Sequence, residues 1–265
     1  MIRSLLTKKS SIQKKYFVLK YLIMFSVLFF PHSNAFCQEI ENFDLPSIIR
    51  GGKLYDNWLA FVPKEKQHLI SKVRKSHPSY PKNSKQNGIT TWRCKECHGW
   101  DYKGVSGAYK TGSHYTGIIG IDKYTGRKTD EVMQILRDST HKISGDMISQ
   151  ENAKSLAAFV IAGQVEMDDY FKPGTSKIDG NANRGKPFFQ TLCSSCHGLD
   201  GRLINFSVKI NEYEFLGSIG KKNVWELIHK IRNGQPDEKM ISLRALTLQQ
   251  QKDIVAYIQT LPDKP

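Results

Sequence analysis

Apolar positions recur with helical spacing in the second half of the chain. Gly185, Phe189 and Cys193 stand four apart, so they share one face of a helix predicted over Asn181 to Leu192. Asn223 precedes Val224-Trp225-Glu226, a cap with an acid at its third position; Leu227, Ile228 and Ile231 follow, and Gly234 stops the helix. Thr247-Leu248-Gln249-Gln250 opens a final helix with Ile254, Tyr257, Ile258 and Leu261 inward and Pro262 ending it. In the first half, Thr129 to Asp138 and Ser149 to Ala162 repeat the second and third of these helices. Seven glycines between Gly99 and Gly126 exclude a helix there, and the interleaved Trp100, Tyr102, Tyr109, Tyr115 and Tyr124 suit a loop wrapped over a large apolar group.

Residues 36–87 have no counterpart in the second half, yet the run from Ile49 to Trp58 is too apolar for disorder and is expected to pack on the first half. Polar residues with Pro78 and Pro81 make 72–87 a connector, and Pro173-Gly174 marks a second one. The resulting division is 1–35, 36–87, 88–166, 167–180 and 181–265.

The first 35 residues carry six bases and no acid, then an apolar run from Tyr21 to Phe30, then Ser33-Asn34-Ala35. This reads as a signal peptide cleaved after Ala35, with the mature protein periplasmic. Ten apolar residues fall short of the roughly twenty that span a bilayer, so membrane contact is expected only through partners or an uncleaved N-terminus. Removing those six bases from a formal net charge of +14 leaves +8, spread without a long basic run. Such a balance suits steering toward acidic-faced partners rather than a nucleic-acid groove.

Four of the five cysteines form two identical patterns, Cys94-Lys95-Glu96-Cys97-His98-Gly99 and Cys193-Ser194-Ser195-Cys196-His197-Gly198. Two thiols three positions apart lie on neighbouring turns of a helix, where both reach one haem edge, and the following His is held beneath the iron. A redox dithiol or a zinc site would leave each His without a role. Two covalent haems c, one on Cys94 and Cys97 and one on Cys193 and Cys196, account for every residue. Cys37 stays unassigned.

The sixth position on each iron decides between a carrier and a catalyst. Met240 stands 43 residues beyond His197, and Met147 stands 49 beyond His98, each in a polar loop between two predicted helices. With His98 and His197 they form the expected axial set. His114 and His141 are the alternatives to Met147. Met133 and His229 fall within amphipathic helices and read as packed residues, and Met167 lies too late in the chain.

These residues resemble the cytochrome c family, as two class I domains in tandem over about 86–164 and 181–262. The likeness is carried in the second domain by Gly185, Phe189, the Cys193 to Gly198 motif, Met240 and the closing helix with Tyr257. The first domain departs from it, with Trp92-Arg93 before its motif and no Gly eight residues before Cys94. The resemblance implies an all-α fold of two cytochrome c-like domains with an N-terminal extension, His and Met ligation, and one-electron transfer between redox proteins of a respiratory chain. An enzyme, or the electron-accepting subunit of one, acting on a small inorganic anion such as thiosulfate is the alternative.

Overall fold

A computed structural model describes residues 42–265 apart from 74 and 83–85. The expected signal peptide, its cleavage site and Cys37 lie outside the described residues. Among the described residues the regular structure is helical, with only two isolated β-bridges, Gly104 with Ile119 and Phe171 with Ile178. The all-α expectation holds.

The helices are α1 (Leu45–Asn57), α2 (Cys94–His98), α3 (Thr129–Arg137), α4 (Gln150–Ala158, continued by a wider turn over Phe159–Gly163), α5 (Ala182–Leu192), α6 (Ser194–His197), α7 (Leu216–Lys222), α8 (Val224–Asn233) and α9 (Leu248–Ile258). The expected caps are in place. Asn223 accepts from Glu226 N, and Thr247 forms a reciprocal capping box with Gln250, satisfying amides that a helix start leaves open.

One helix crossing organises the second half. α5 lies so close to α9 that a Cβ on Gly185 would fall 1.9 Å from the Asp253 carbonyl oxygen. One turn on, the Phe189 ring packs against Tyr257 with centroids 5.3 Å apart. The Asp253 carboxylate accepts from Arg184 Nε at 2.7 Å and from Asn181 N at 2.7 Å, which pins the start of α5.

The first half contains the same crossing, built from residues expected to have no counterpart. A Cβ on Gly51 of α1 would lie 1.9 Å from the Ser155 carbonyl oxygen of α4. One turn on, Tyr55 packs against Phe159, again at 5.3 Å, and Arg50 Nε donates to Asn152 Oδ1 at 2.7 Å. Arg50-Gly51-x3-Tyr55 therefore does for α4 what Arg184-Gly185-x3-Phe189 does for α9. The extension supplies the first helix of the first half, separated from Cys94 by an insertion that includes the short 3-10 turns Trp58–Phe61, Lys64–Val73 and Gly88–Trp92.

α1 also serves the second half, because a Cβ on Gly52 would lie 2.2 Å from Asn233 Cγ of α8. Two adjacent glycines in a helix interior each cost about 1 kcal/mol in propensity. Here they let one helix be gripped on two sides. The seam is polar and fully buried: His229 Nε2 donates to the Gly52 carbonyl at 2.9 Å while Tyr102 Oη donates to His229 Nδ1 at 2.9 Å. Asp56, without solvent exposure, pairs with Lys230 at 2.8 Å and with Arg93. The 167–180 connector also joins the core, since Met167 and Tyr170 are fully buried and Tyr170 Oη donates to Gln251 Oε1 at 2.5 Å.

Gly51→Ala and Gly185→Ala should each destabilise the protein by about 1–3 kcal/mol through overpacking, outweighing the helix propensity gained. Gly145→Ala, with no atom within 4 Å of the added methyl, should be near neutral in the same chemical denaturation series. Burial pushes His229 down to about 3, so it is neutral in the fold and gains a proton on unfolding below about 6.5. Stability should therefore fall as pH drops from about 6.5 toward 3, and His229→Gln should flatten that part of the profile.

Candidate haem sites

Both Cys-x-x-Cys-His motifs take one backbone form. Each short helix ends on its His because the next residue is a glycine in the left-handed region, Gly99 at φ 80° and ψ 158° and Gly198 at φ 79° and ψ 158°. A side chain at either position would strain that stop. The chain then curls back, and the His carbonyl accepts a backbone N–H, from Gly104 at 2.9 Å after His98 and from Leu203 at 3.0 Å after His197.

In the first half, Cys94, Cys97 and His98 line one cavity of about 300 Å³. Its apolar walls come from Ile118 to Ile121, from Val132 and Leu136 of α3, and from Leu156 and Val160 on α4 and its extension. Trp92, Arg93, His77, Thr140 and His141 also line it. An apolar pocket with a few convergent polar groups and two thiols on its wall fits a haem held through Cys94 and Cys97. Burial pushes both thiols up to about 12, and Cys193 up to about 11, which keeps them protonated. A redox dithiol or a zinc thiolate site needs an environment that favours the anion.

The His98 ring is fixed with one nitrogen open. Its Nδ1 lies 2.7 Å from the Ile119 carbonyl, which can only accept, so Nδ1 carries the proton and Nε2 keeps its lone pair. Burial pushes its pKa down to about 4, so the imidazole is neutral. The loop between Gly99 and Gly126 does wrap the site, through Ile118 to Ile121 and Tyr124, whereas Trp100, Tyr102 and Tyr109 turn into the protein core.

The structure separates the three candidate partners of His98. Met147 packs among Trp58, Leu59, Val62 and Val73 and is not among the residues lining the cavity. His114 stacks on Tyr109 at 4.9 Å, with Nδ1 3.4 Å from the Glu96 carboxylate, and is likewise not among them. His141 lines the cavity with its ring 6.1 Å from that of His98. Met133 and His229 are packed in helices, as their periodicity predicts, and Met167 is fully buried.

In the second half, the motif helix follows α5 after a one-residue turn at Cys193, and Cys196 is exposed. His197 Nδ1 is buried without a hydrogen-bond partner, and the ring faces Phe206 at 6.1 Å. Met240, half-buried, packs against the core in the loop between α8 and α9. The motif composition fits a second haem here, with a more open surround: Leu199 and Leu203 are 67% and 69% exposed. In the first motif, by contrast, Lys95 and Glu96 are buried and paired to each other.

Tyr55, Arg93 and Asp138 also line the first cavity, and sequence reasoning did not single them out. Tyr55 Oη donates to the Gly99 carbonyl at 2.6 Å and so holds the motif glycine. Its place one turn after an Arg-Gly pair, matching Phe189, was the available signal.

Comparison with known proteins bears on the second of these sites. Residues 182–262 match the cytochrome c family. A protein named as the cytochrome bc1 complex cytochrome c subunit of Corynebacterium diphtheriae is 23% identical over 188 residues. That alignment covers 65% of this chain, which spans 64% of the relative's length. The unit running from α5 through the second motif to α9 is a cytochrome c domain, and haem c is the cofactor of such domains.

Proposed function

We propose that the chain is an exported dihaem c-type cytochrome that carries single electrons between redox proteins of a respiratory chain. The observation that carries this reading is the internal repeat. Each half has an Arg-Gly-x3-aromatic helix crossing, followed by a Cys-x-x-Cys-His motif stopped by a left-handed glycine. A cytochrome c domain in residues 182–262 supports haem c in the second half, and the repeat extends the assignment to Cys94, Cys97 and His98.

Haem iron supplies the one-electron couple. Cys94, Cys97, Cys193 and Cys196 would anchor it through two thioethers per half, His98 and His197 would ligate it, and the apolar walls of the first cavity would surround it there. Met240 would supply its thioether to the iron of the second half. The exposed surround of Cys196, with Leu199 and Leu203, offers an edge at which a partner exchanges electrons. The relative's place in a bc1 complex supports a respiratory redox protein as that partner. The net +8 outside the first 35 residues favours one with an acidic face. Among the described residues no helix is long and apolar enough to cross a membrane.

Matured full-length protein should carry two haems per chain. Replacing both cysteines of one motif with Ala should remove one haem, and replacing all four should remove both. Neither iron should bind carbon monoxide when reduced, and the protein should pass electrons to an acidic acceptor without turning over thiosulfate. One haem per chain, or turnover of a small anion, would defeat the reading.

A further inference from the structure

The first cavity is lined by a second imidazole besides that of His98. The His98 and His141 rings lie 6.1 Å apart and within 21° of parallel, and both line the cavity that Cys94 and Cys97 border. A metal–imidazole bond is about 2 Å, and the ring centre lies roughly 1 Å beyond the nitrogen, so two imidazoles sharing one metal ion have centres about 6 Å apart. The observed separation meets that requirement.

Both rings are also set in one tautomer. His98 Nδ1 is tied to the Ile119 carbonyl at 2.7 Å, and His141 Nδ1 faces Asp138 Oδ1 at 3.2 Å, leaving Nε2 of each as the free donor. An acceptor on the far nitrogen of a ligating histidine fixes ring orientation and strengthens the ligand. Asp138 further accepts from His141 N at 2.7 Å, and the His141 carbonyl lies 2.8 Å from His77 Nε2. The next residue, Lys142, is held at φ 55°, a conformation that non-glycine residues seldom adopt. The loop thus presents His141 in a preset orientation.

We infer that His141 is the sixth ligand of the first haem, which makes that site bis-histidine while the second remains His–Met. This rests on the two-haem reading above. A thioether raises the potential of haem iron, so the first haem is the more reducing of the two and electrons run from the first half to the second.

The test uses the full-length matured protein. In the reduced state, proton magnetic resonance should show one methionine methyl shifted far upfield by a haem ring, lost in Met240→Leu and retained in Met147→Leu. His141→Ala should keep two haems, since Cys94 and Cys97 still hold the first. It should bind carbon monoxide at one iron per chain, and added imidazole should restore the low-spin spectrum. His141→Met should raise the lower of the two potentials and leave the other unchanged. Two shifted methionine methyls in the wild type, or an iron opened by Met147→Leu, would overturn the assignment of His141 while leaving two haems in place. One haem per chain would overturn the two-haem reading with it.

Discussion

The structure depends on a contact that only glycine permits. In each half the first helix touches the last one through bare backbone, at Gly51 on Ser155 and at Gly185 on Asp253, with no room for even a methyl group. That approach brings Tyr55 onto Phe159 and Phe189 onto Tyr257, fixing the depth of the aromatic layer against which each motif rests. Interiors are packed like crystals and yield little, so the crossing sets where the thiols and histidines stand.

The same constraint joins the halves. α1 is pressed on one side by α4 and on the other by α8, and its second glycine makes the latter approach possible. Around it, Asp56 is fully buried yet answered by Lys230 and Arg93, and His229 is satisfied at both nitrogens. Deleting one partner of such a network leaves a buried charge or donor unanswered, at several kcal/mol, so a seam of this kind resists separation. Tyr55, at the wall of the first cavity, lies tilted against His229 on a helix of the second half, with ring centroids 5.7 Å apart.

Much of this was legible in the sequence, and the limits have physical reasons. The second half reads correctly because Gly185, Phe189, the motif and the capped helices follow one another at short range. The first half hides its opening helix because residues 58–93 intervene between Gly51 and Cys94, and a search at fixed distance from the motif meets Gln86 instead. The periodicity of α3 and α4 was sufficient, since amphipathic spacing is local. The placement of Met147, His114 and His141 was not legible, because it turns on which way a loop faces. That is decided by the Asp138 hydrogen bonds and the left-handed Lys142, which no spacing reveals.

The two crossings also differ in how far apart along the chain their partners are made. Gly51 and Ser155 are separated by 104 residues, Gly185 and Asp253 by 68. Loop-closure entropy for the longer span is greater by only about 0.4 kcal/mol. The kinetic difference matters more, because folding is slow where it waits for distant pairings. During synthesis from the N-terminus, α1 emerges with its first motif well before α4 exists to receive it. The extra length lies between α1 and its motif, because Cys94 precedes Ser155 by 61 residues and Cys193 precedes Asp253 by 60, so the insertion lengthens the wait of α1 for its partner and leaves the interval from motif to closing helix unchanged.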